Sequence, residues 1–157
     1  MIKNRKKCTC DKCVGKIKDN QMLHPIYFSN FYTSKNQVVI PGDFIKFEKD
    51  GPTNCFIFKI NDYKVNLTLT GTYEIIFNIN CKNERESYVV INCNGLDIEY
   101  TITRNNNNVI SGYYLLTITK ENTILMLKNS ENSYNNLEIE CERKNILSSH
   151  VIIKKIN

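Results

Sequence analysis

The sequence contains no tryptophan, only two histidines, and no apolar run long enough to cross a bilayer. A membrane-spanning helix needs about 18 or more consecutive apolar residues, and no stretch approaches that length. The basic N-terminus is followed by neither an apolar segment nor a small-residue cleavage site, so we expect no secretory signal peptide. These absences predict a protein without a membrane partner. We expect it to be made in the cytoplasm and to leave only by lysis or by assembly onto a structure built there.

Motifs for catalysis are also scarce. Ser148-Ser149-His150 sets hydroxyls beside an imidazole, but no Gly-x-Ser-x-Gly elbow surrounds it, and His24 is the only other histidine. Nearby carboxylates alternate along a predicted strand, which suits a solvated strand face better than a glycosidase pair, and no calcium-loop signature accompanies them. We therefore predict no enzyme and no cofactor. The paired acidic residues are Glu84 and Glu86, and Glu138, Glu140 and Glu142.

The positive charge of the chain is concentrated at its start. Residues 1–18 carry seven basic side chains against Asp11, and the remaining 139 residues hold 14 basic and 15 acidic side chains. A nucleic-acid-binding domain is expected to carry a basic face with stacking aromatics on its folded part. The near-neutral body lacks that pattern, so we predict no specific nucleic-acid partner and a solvated basic leader.

The leader contains three cysteines in six residues, "CTCDKC". A zinc site needs four ligands, and Cys8, Cys10 and Cys13 supply three, with His24 the nearest fourth. Reduced cysteines on a solvated tail are a second possibility. Neighbouring lysines and arginines raise the thiolate fraction that attacks disulfides, which favours intermolecular cross-linking as the third. We predict these three cysteines as intermolecular disulfide candidates and no metal site.

The remainder of the chain has the texture of an all-β protein. About ten runs rich in Ile, Val, Phe, Tyr and Thr recur at roughly 8–12-residue spacing, with turn pairs between them. Asn94-Gly95 is the strongest hairpin signal, because both residues tolerate positive φ. We predict a disordered leader over residues 1–22 and one domain over residues 23–157.

Several predicted strands are apolar on both faces, including "EIIFNI", "YVVI" and "YYLLTI". One face of a sandwich strand packs into the core, so a second apolar face needs cover from a neighbouring subunit. Four further cysteines in or beside strands are expected to be buried and reduced: Cys55, Cys81, Cys93 and Cys141. The predicted interface residues are Tyr73, Phe77, Tyr88, Tyr113 and Tyr114.

Five segments, in order, resemble the C-terminal domains of BclA-type proteins: "VVIPGDFIKFEKDGPTN", "LTLTGTYEIIFNIN", "VVINCNGLDI", "LLTITKENTILMLKN" and "SSHVIIKKIN". The Gly-x-Tyr strand is similar to that of the wider TNF/complement-type jelly rolls. Two features depart from the BclA pattern. No Gly-X-Y stalk precedes the domain, and Lys120-Glu121-Asn122 replaces the usual Ala-Gly-Asp turn. A stalkless domain with N-terminal cysteines looks more like the BxpB-type proteins of the exosporium basal layer.

This resemblance implies a ten-stranded antiparallel jelly-roll sandwich, TNF-like and homotrimeric. It also implies a structural, self-assembling role on the spore surface, in the exosporium or coat, beside other spore-surface proteins. The alternative is a TNF-like head module that binds a ligand or glycan, because a fold does not fix a function. The absence of tryptophan gives that alternative no clear sugar platform.

Overall fold

The computed structural model describes residues 27–82, 86–105, 107–141 and 149–157, so predictions about the leader lie outside it. These residues form antiparallel strands and one 3-10 turn, Glu99–Thr101. No helix in the described ranges could span a membrane. The strands are β1 (Tyr27–Thr33), β2 (Gln37–Val39), β3 (Lys49–Asp50), β4 (Ile57–Asn61), β5 (Lys64–Leu67), β6 (Gly71–Asn80), β7 (Tyr88–Cys93), β8 (Leu96–Asp97), β9 (Thr103–Arg104), β10 (Val109–Ile118), β11 (Thr123–Asn129), β12 (Leu137–Ile139) and β13 (Ser149–Lys155).

Two main sheets stack as a sandwich. The first sheet has the order β10-β6-β13-β1-β3, and the second has the order β4-β5-β11-β7-β8, with β9 also paired to β7. Strands β2 and β12 form a small third sheet. Every strand pairing is antiparallel, and the last strand, β13, lies between β1 and β6. The predicted all-β jelly-roll sandwich is therefore confirmed.

Strand β6 is the centre of the first sheet. It pairs with β10 over ten residues and with β13 over seven. Its side chains alternate, as the period of two in a pleated strand requires. Four of them point inward and are fully buried, while the residues between them face outward. The inward residues, which pack on both sheets' core side chains, are Tyr73, Ile75, Phe77 and Ile79.

The predicted Asn94-Gly95 hairpin joins β7 to β8. Asn94 has a φ of 52° and Gly95 a φ of 88°, the left-handed region that Asn and Gly tolerate best. The Asn92 side chain accepts the Gly95 N–H at 3.0 Å, and Asn94 Oδ1 accepts the N–H of Ile124 at 2.8 Å. The turn is thereby tied to the strand beside it.

The predicted strand over "DFIKFEK" is only partly regular. Ile45 N–H donates to Leu127 O and Asn129 N–H donates to Asp43 O, both at 2.9 Å, so the segment runs along β11. Ile45 and Phe47, which share one side of this alternating segment, are buried. The ladder is too sparse to count as a strand until Lys49, where β3 begins.

The predicted strand "LDIEYTIT" is interrupted by the 3-10 turn. The Thr101 hydroxyl accepts the Ile91 N–H at 2.9 Å and donates to Ile98 O at 2.7 Å. This buried side chain takes the place of a backbone partner for β7, so the ladder resumes only at β9. The interruption divides one predicted strand into two short ones, β8 and β9.

The two ends of the domain lie side by side. In the ladder between β1 and β13, Tyr27 is paired with Lys155. The chain that precedes Tyr27 therefore enters the fold next to the place where β13 ends.

Gly112 on β10 leaves the space that the Phe77 ring fills. A Cβ atom at this position would lie 2.3 Å from Phe77 Cζ and 2.8 Å from Tyr114 Cε2. Contacts that short require the rings or the backbone to shift. The packing of β10 on β6 therefore depends on glycine here.

We expect Gly112→Ala to lower the free energy of unfolding by about 1–3 kcal/mol, because the added methyl group overpacks the Phe77 site. Urea unfolding followed by circular dichroism measures this change. Thr117→Ala, at an exposed position of the same strand, is the control and should change stability by less than about 0.5 kcal/mol. Equal stability of Gly112→Ala and the parent would contradict the packing argument.

Candidate assembly face

The outward side of the first sheet is an ordered surface built from four neighbouring strands. We call it the open face and define it by the outward side chains of β1, β13, β6 and β10. The strand registers align these side chains in three rungs that cross the sheet. The rungs are Tyr32–His150–Asn78–Ser111, Asn30–Ile152–Ile76–Tyr113 and Phe28–Lys154–Glu74–Leu115.

The second and third rungs carry most of the apolar surface of the open face. Tyr113 is 60% exposed and Leu115 is 51% exposed, although both lie in the middle of a ten-residue strand. Ile76 and Ile152 are half-buried next to Tyr113. A row of large apolar side chains across a regular sheet, left open to water, is typical of an interaction surface.

One carboxylate is embedded in this apolar surface. Glu74 accepts a hydrogen bond from the Tyr113 hydroxyl at 2.8 Å, and Lys154 Nζ lies 3.9 Å from its other oxygen. The hydrogen bond from Tyr113 to Glu74 raises the pKa of the tyrosine, because ionising the phenol would remove the donor and face the carboxylate. These contacts hold the Tyr113 ring over the sheet.

The first rung is polar. Ser111 Oγ donates to Asn78 Oδ1 at 2.5 Å, and Asn78 Nδ2 lies 3.2 Å from His150 Nε2. Tyr32 follows His150 across the ladder. Burial lowers the pKa of His150 below its ordinary value, because the charged ring is less well hydrated there.

An aromatic edge borders the open face where β10 meets the second sheet. Tyr114 points inward, contacts the ring of Phe77 at 6.2 Å and accepts or donates a 2.7 Å hydrogen bond with Thr103 of β9. Tyr100, 66% exposed, packs edge-on against Tyr114 at 6.5 Å. Ile102 is also exposed on this segment. The edge therefore joins the two sheets and exposes apolar surface beside the open face.

The structure corrects part of the predicted interface set. Tyr73 and Phe77 are fully buried between the sheets, so their side chains cannot contact another subunit. Tyr88 lies on the outward side of the second sheet, because its neighbours Val89 and Ile91 point into the core. The prediction remains for Tyr113, on the open face, and for Tyr114, at its edge.

Tyr88 belongs to a separate polar cluster. Its hydroxyl donates to Glu86 at 3.1 Å, and the other Glu86 oxygen is paired with Arg104. The Tyr88 N–H donates to Ser133 Oγ at 2.8 Å, which fixes the loop before the exposed Tyr134. Tyr88 is therefore held in place by Glu86 and Ser133.

Lys128 forms a largely buried charge cluster on the outward side of the second sheet. Its Nζ lies 3.0 Å from Asp97 and 2.8 Å from Glu131, and Asn92 donates to Asp97 at 2.5 Å. The lysine side chain is only 9% exposed. Because the amine is held by two carboxylates, the cluster fixes the β7–β8 hairpin to β11.

The remaining residues predicted from motifs do not gather into one site. Ser149 is buried, whereas His150 faces outward. Glu140 is paired with Lys82 at 3.0 Å, while Ser148, Glu84 and Glu142 lie outside the described residues. Among the described residues, no group of three or more His, Cys, Asp or Glu could hold a metal ion.

The cysteines divide between the described domain and the leader. Cys8, Cys10 and Cys13 lie outside the described residues, so their role stays a prediction. Cys81 is buried, as predicted, whereas three others are only half-buried. Burial raises the pKa of Cys93 to about 11. The half-buried cysteines are Cys55, Cys93 and Cys141.

We expect Cys93 to react with iodoacetamide at least about 100-fold more slowly in the folded protein than in urea at about pH 8, because the thiolate is the reactive form. Pulse labelling with peptide mass spectrometry measures both rates. Labelling of the same cysteine in the unfolded chain is the internal control. Comparable rates in the two states would show that burial does not suppress the thiolate.

Comparison with known proteins identifies the fold. No protein-family model matches the sequence, and no curated protein matches it either. The structure resembles the Eiger TNF of S. frugiperda (TM-score 0.61, 14% identity), with 85% of this chain and 94% of that chain covered. It also resembles the globular domain of zebrafish complement 1qA (0.58, 9%, covering 83% and 95%) and murine APRIL (0.58, 8%, covering 84% and 100%). The chain therefore has the jelly-roll fold of the TNF and complement C1q domains.

Proposed function

We propose that this protein is a non-enzymatic building block that assembles as a homotrimer and takes part in a spore-surface layer. One observation carries the proposal: a regular sheet exposes a row of apolar side chains and ends at an exposed aromatic edge. Tyr113 and Leu115 are more than half exposed on that sheet, and Tyr100 is 66% exposed at its edge. Second copies of the same chain are the proposed cover for this surface.

The two surfaces favour a closed ring. In the proposed contact, the aromatic edge of one copy packs on the open face of the next. Such a contact joins two different patches. A pair of copies therefore leaves one patch of each kind uncovered, and further copies close a ring when the rotation between neighbours allows it. Domains of the TNF and C1q type are typically trimeric, which supports three copies.

The spore-surface role rests on the resemblance of five segments to BclA-type domains and of the cysteine-bearing leader to BxpB-type proteins. In this role the protein is made in the cytoplasm without a signal peptide and is assembled on the exosporium or coat, with other spore-surface proteins as partners. The comparisons with solved structures support the TNF/C1q-type jelly-roll fold. The location is therefore part of the proposal and is tested by localising the protein on spores.

The leader supplies the second step of assembly. It precedes Tyr27, which pairs with Lys155. In the proposed trimer, the three copies of Tyr27 occupy equivalent positions, so the three leaders join the domain at the same end of the particle. Thiols flanked by lysine and arginine are suited to disulfide exchange, so we propose that the leaders cross-link trimers.

We expect Leu115→Glu to convert the trimer into monomers, because a second carboxylate beside Glu74, buried in the contact without a partner, costs about 3–5 kcal/mol, or a factor of about 100 or more in affinity. Light scattering behind size exclusion, in reductant, measures the mass. Ile60→Glu is the matched control, since Ile60 is 55% exposed and Leu115 is 51% exposed, but Ile60 lies on β4 of the second sheet. A monomeric parent would contradict the proposal and favour the ligand-binding head. Loss of the trimer in both variants would contradict the assigned face.

We expect a triple variant, Cys8→Ser, Cys10→Ser and Cys13→Ser, to remain trimeric and to form no larger species without reductant. The parent should form disulfide-linked species larger than a trimer when the reductant is removed. Light scattering and non-reducing gel electrophoresis measure the two effects. Cys93→Ser is the control, because a thiol with a pKa of about 11 is a poor nucleophile. Equal cross-linking of parent and triple variant would exclude the leader thiols.

A further inference from the structure

The polar rung of the open face has a fixed direction of hydrogen bonding. Ser111 donates to Asn78 Oδ1, which turns the Asn78 amide nitrogen toward His150 Nε2 at 3.2 Å. An amide nitrogen only donates, so Nε2 must accept. The imidazole is therefore neutral, with its proton on Nδ1.

Protonation reverses this arrangement. An imidazolium carries N–H groups on both nitrogens, so Nε2 would meet the Asn78 amide as donor against donor. The carboxamide would have to turn over, and the Ser111 hydroxyl would have to change from donor to acceptor. A positive charge would then stand on a surface that the proposed trimer covers.

We propose that protonation of His150 weakens the trimer, so that the assembly is acid-labile. This inference rests on the proposed function, because it concerns the regulation of the same open face. The proposed pH-sensitive site is the polar rung Ser111–Asn78–His150, together with the apolar rung beside it that contains Ile152 and Ile76.

Among the residues that the structure describes, no carboxylate forms an ion pair with His150. From the other side, Tyr32 lies across the ladder on β1, and Lys49 of β3 lies 5.9 Å from the centre of the Tyr32 ring. Among the described residues, Asn78 is the hydrogen-bond partner of the ring. On β6, β10 and β13, the other titratable groups of the open face lie in the other two rungs. Tyr113 is one rung away from His150, and Glu74 and Lys154 are two rungs away.

The sign of the effect follows from linkage. Burial already lowers the pKa of His150 in one subunit, and cover by a neighbour would remove more water and lower the pKa further. The trimer then binds fewer protons than three free subunits. Association is therefore strongest above the pKa of His150 in the free subunit, which lies below the ordinary histidine value of about 6.5, and weakens as the pH falls through it. Each further pKa unit by which the trimer lowers the pKa of His150 weakens association at low pH by about tenfold per site, or by about a thousandfold for three sites.

Sedimentation velocity of the full chain in reductant, at about pH 7.5 and about pH 5.5, tests the inference across the histidine range. We expect the parent to be trimeric at the higher pH and to dissociate at the lower pH, with the dissociation constant raised by about tenfold or more. His150→Gln keeps a carbonyl oxygen for the Asn78 amide and cannot be protonated, so it should remain trimeric at both values. His24→Gln changes the only other histidine and should behave like the parent.

The outcomes separate this inference from the proposed function. A parent that is monomeric at the higher pH overturns both. A parent that is equally trimeric at both values overturns the acid-lability alone, as does His150→Gln dissociating to the same extent as the parent. If His150→Gln does not fold, proton NMR titration of the parent serves in its place. The pKa of His150 should be lower at trimer concentrations than in the dilute monomer, and equal values overturn the inference.

Discussion

The whole sandwich depends on the alternation of side chains along β6, which places one set in the core and the other on the open face. Its inward side chains, Tyr73, Ile75, Phe77 and Ile79, are completely buried and tie the first sheet to the second. Its backbone pairs with β10 on one side and β13 on the other, which sets the register of three strands. Because of that register, the outward residues of the same strands fall into rungs. The core and the open face are therefore two consequences of one alternation.

Two residues, Gly112 and Thr101, allow the strands to pack and pair at the edge of the sandwich. At Gly112 the sheet gives up a side chain so that the Phe77 ring fits, and Tyr114 then covers the gap by bonding to Thr103 of the opposite sheet. Thr101 replaces a backbone partner for β7 where the 3-10 turn interrupts the ladder. Tyr100, the residue before Thr101 in this turn, is exposed beside Tyr114.

The strands and turns could be predicted from the sequence because their signals are local. Asn94-Gly95 predicted its hairpin, because the tolerance of both residues for positive φ is a property of the two residues themselves. The face of each strand is not a local property. Tyr113 and Tyr114 were both predicted to face a partner, yet adjacent strand residues point to opposite sides, and only the pairing shows which one is outward. The polar rung could not be predicted, because residues 32, 78, 111 and 150 meet only through three strand registers.

The pairing of Tyr27 with Lys155 gives the proposed assembly a direction. Three copies related by a rotation axis place their three Tyr27 residues at the same height along that axis. Such a particle has a front and a back. A sheet made from these particles, all in one orientation, would have two different surfaces, and the three chain entries would belong to the same one. Sidedness of this kind would let a layer attach to what lies beneath it without attaching to what lies above.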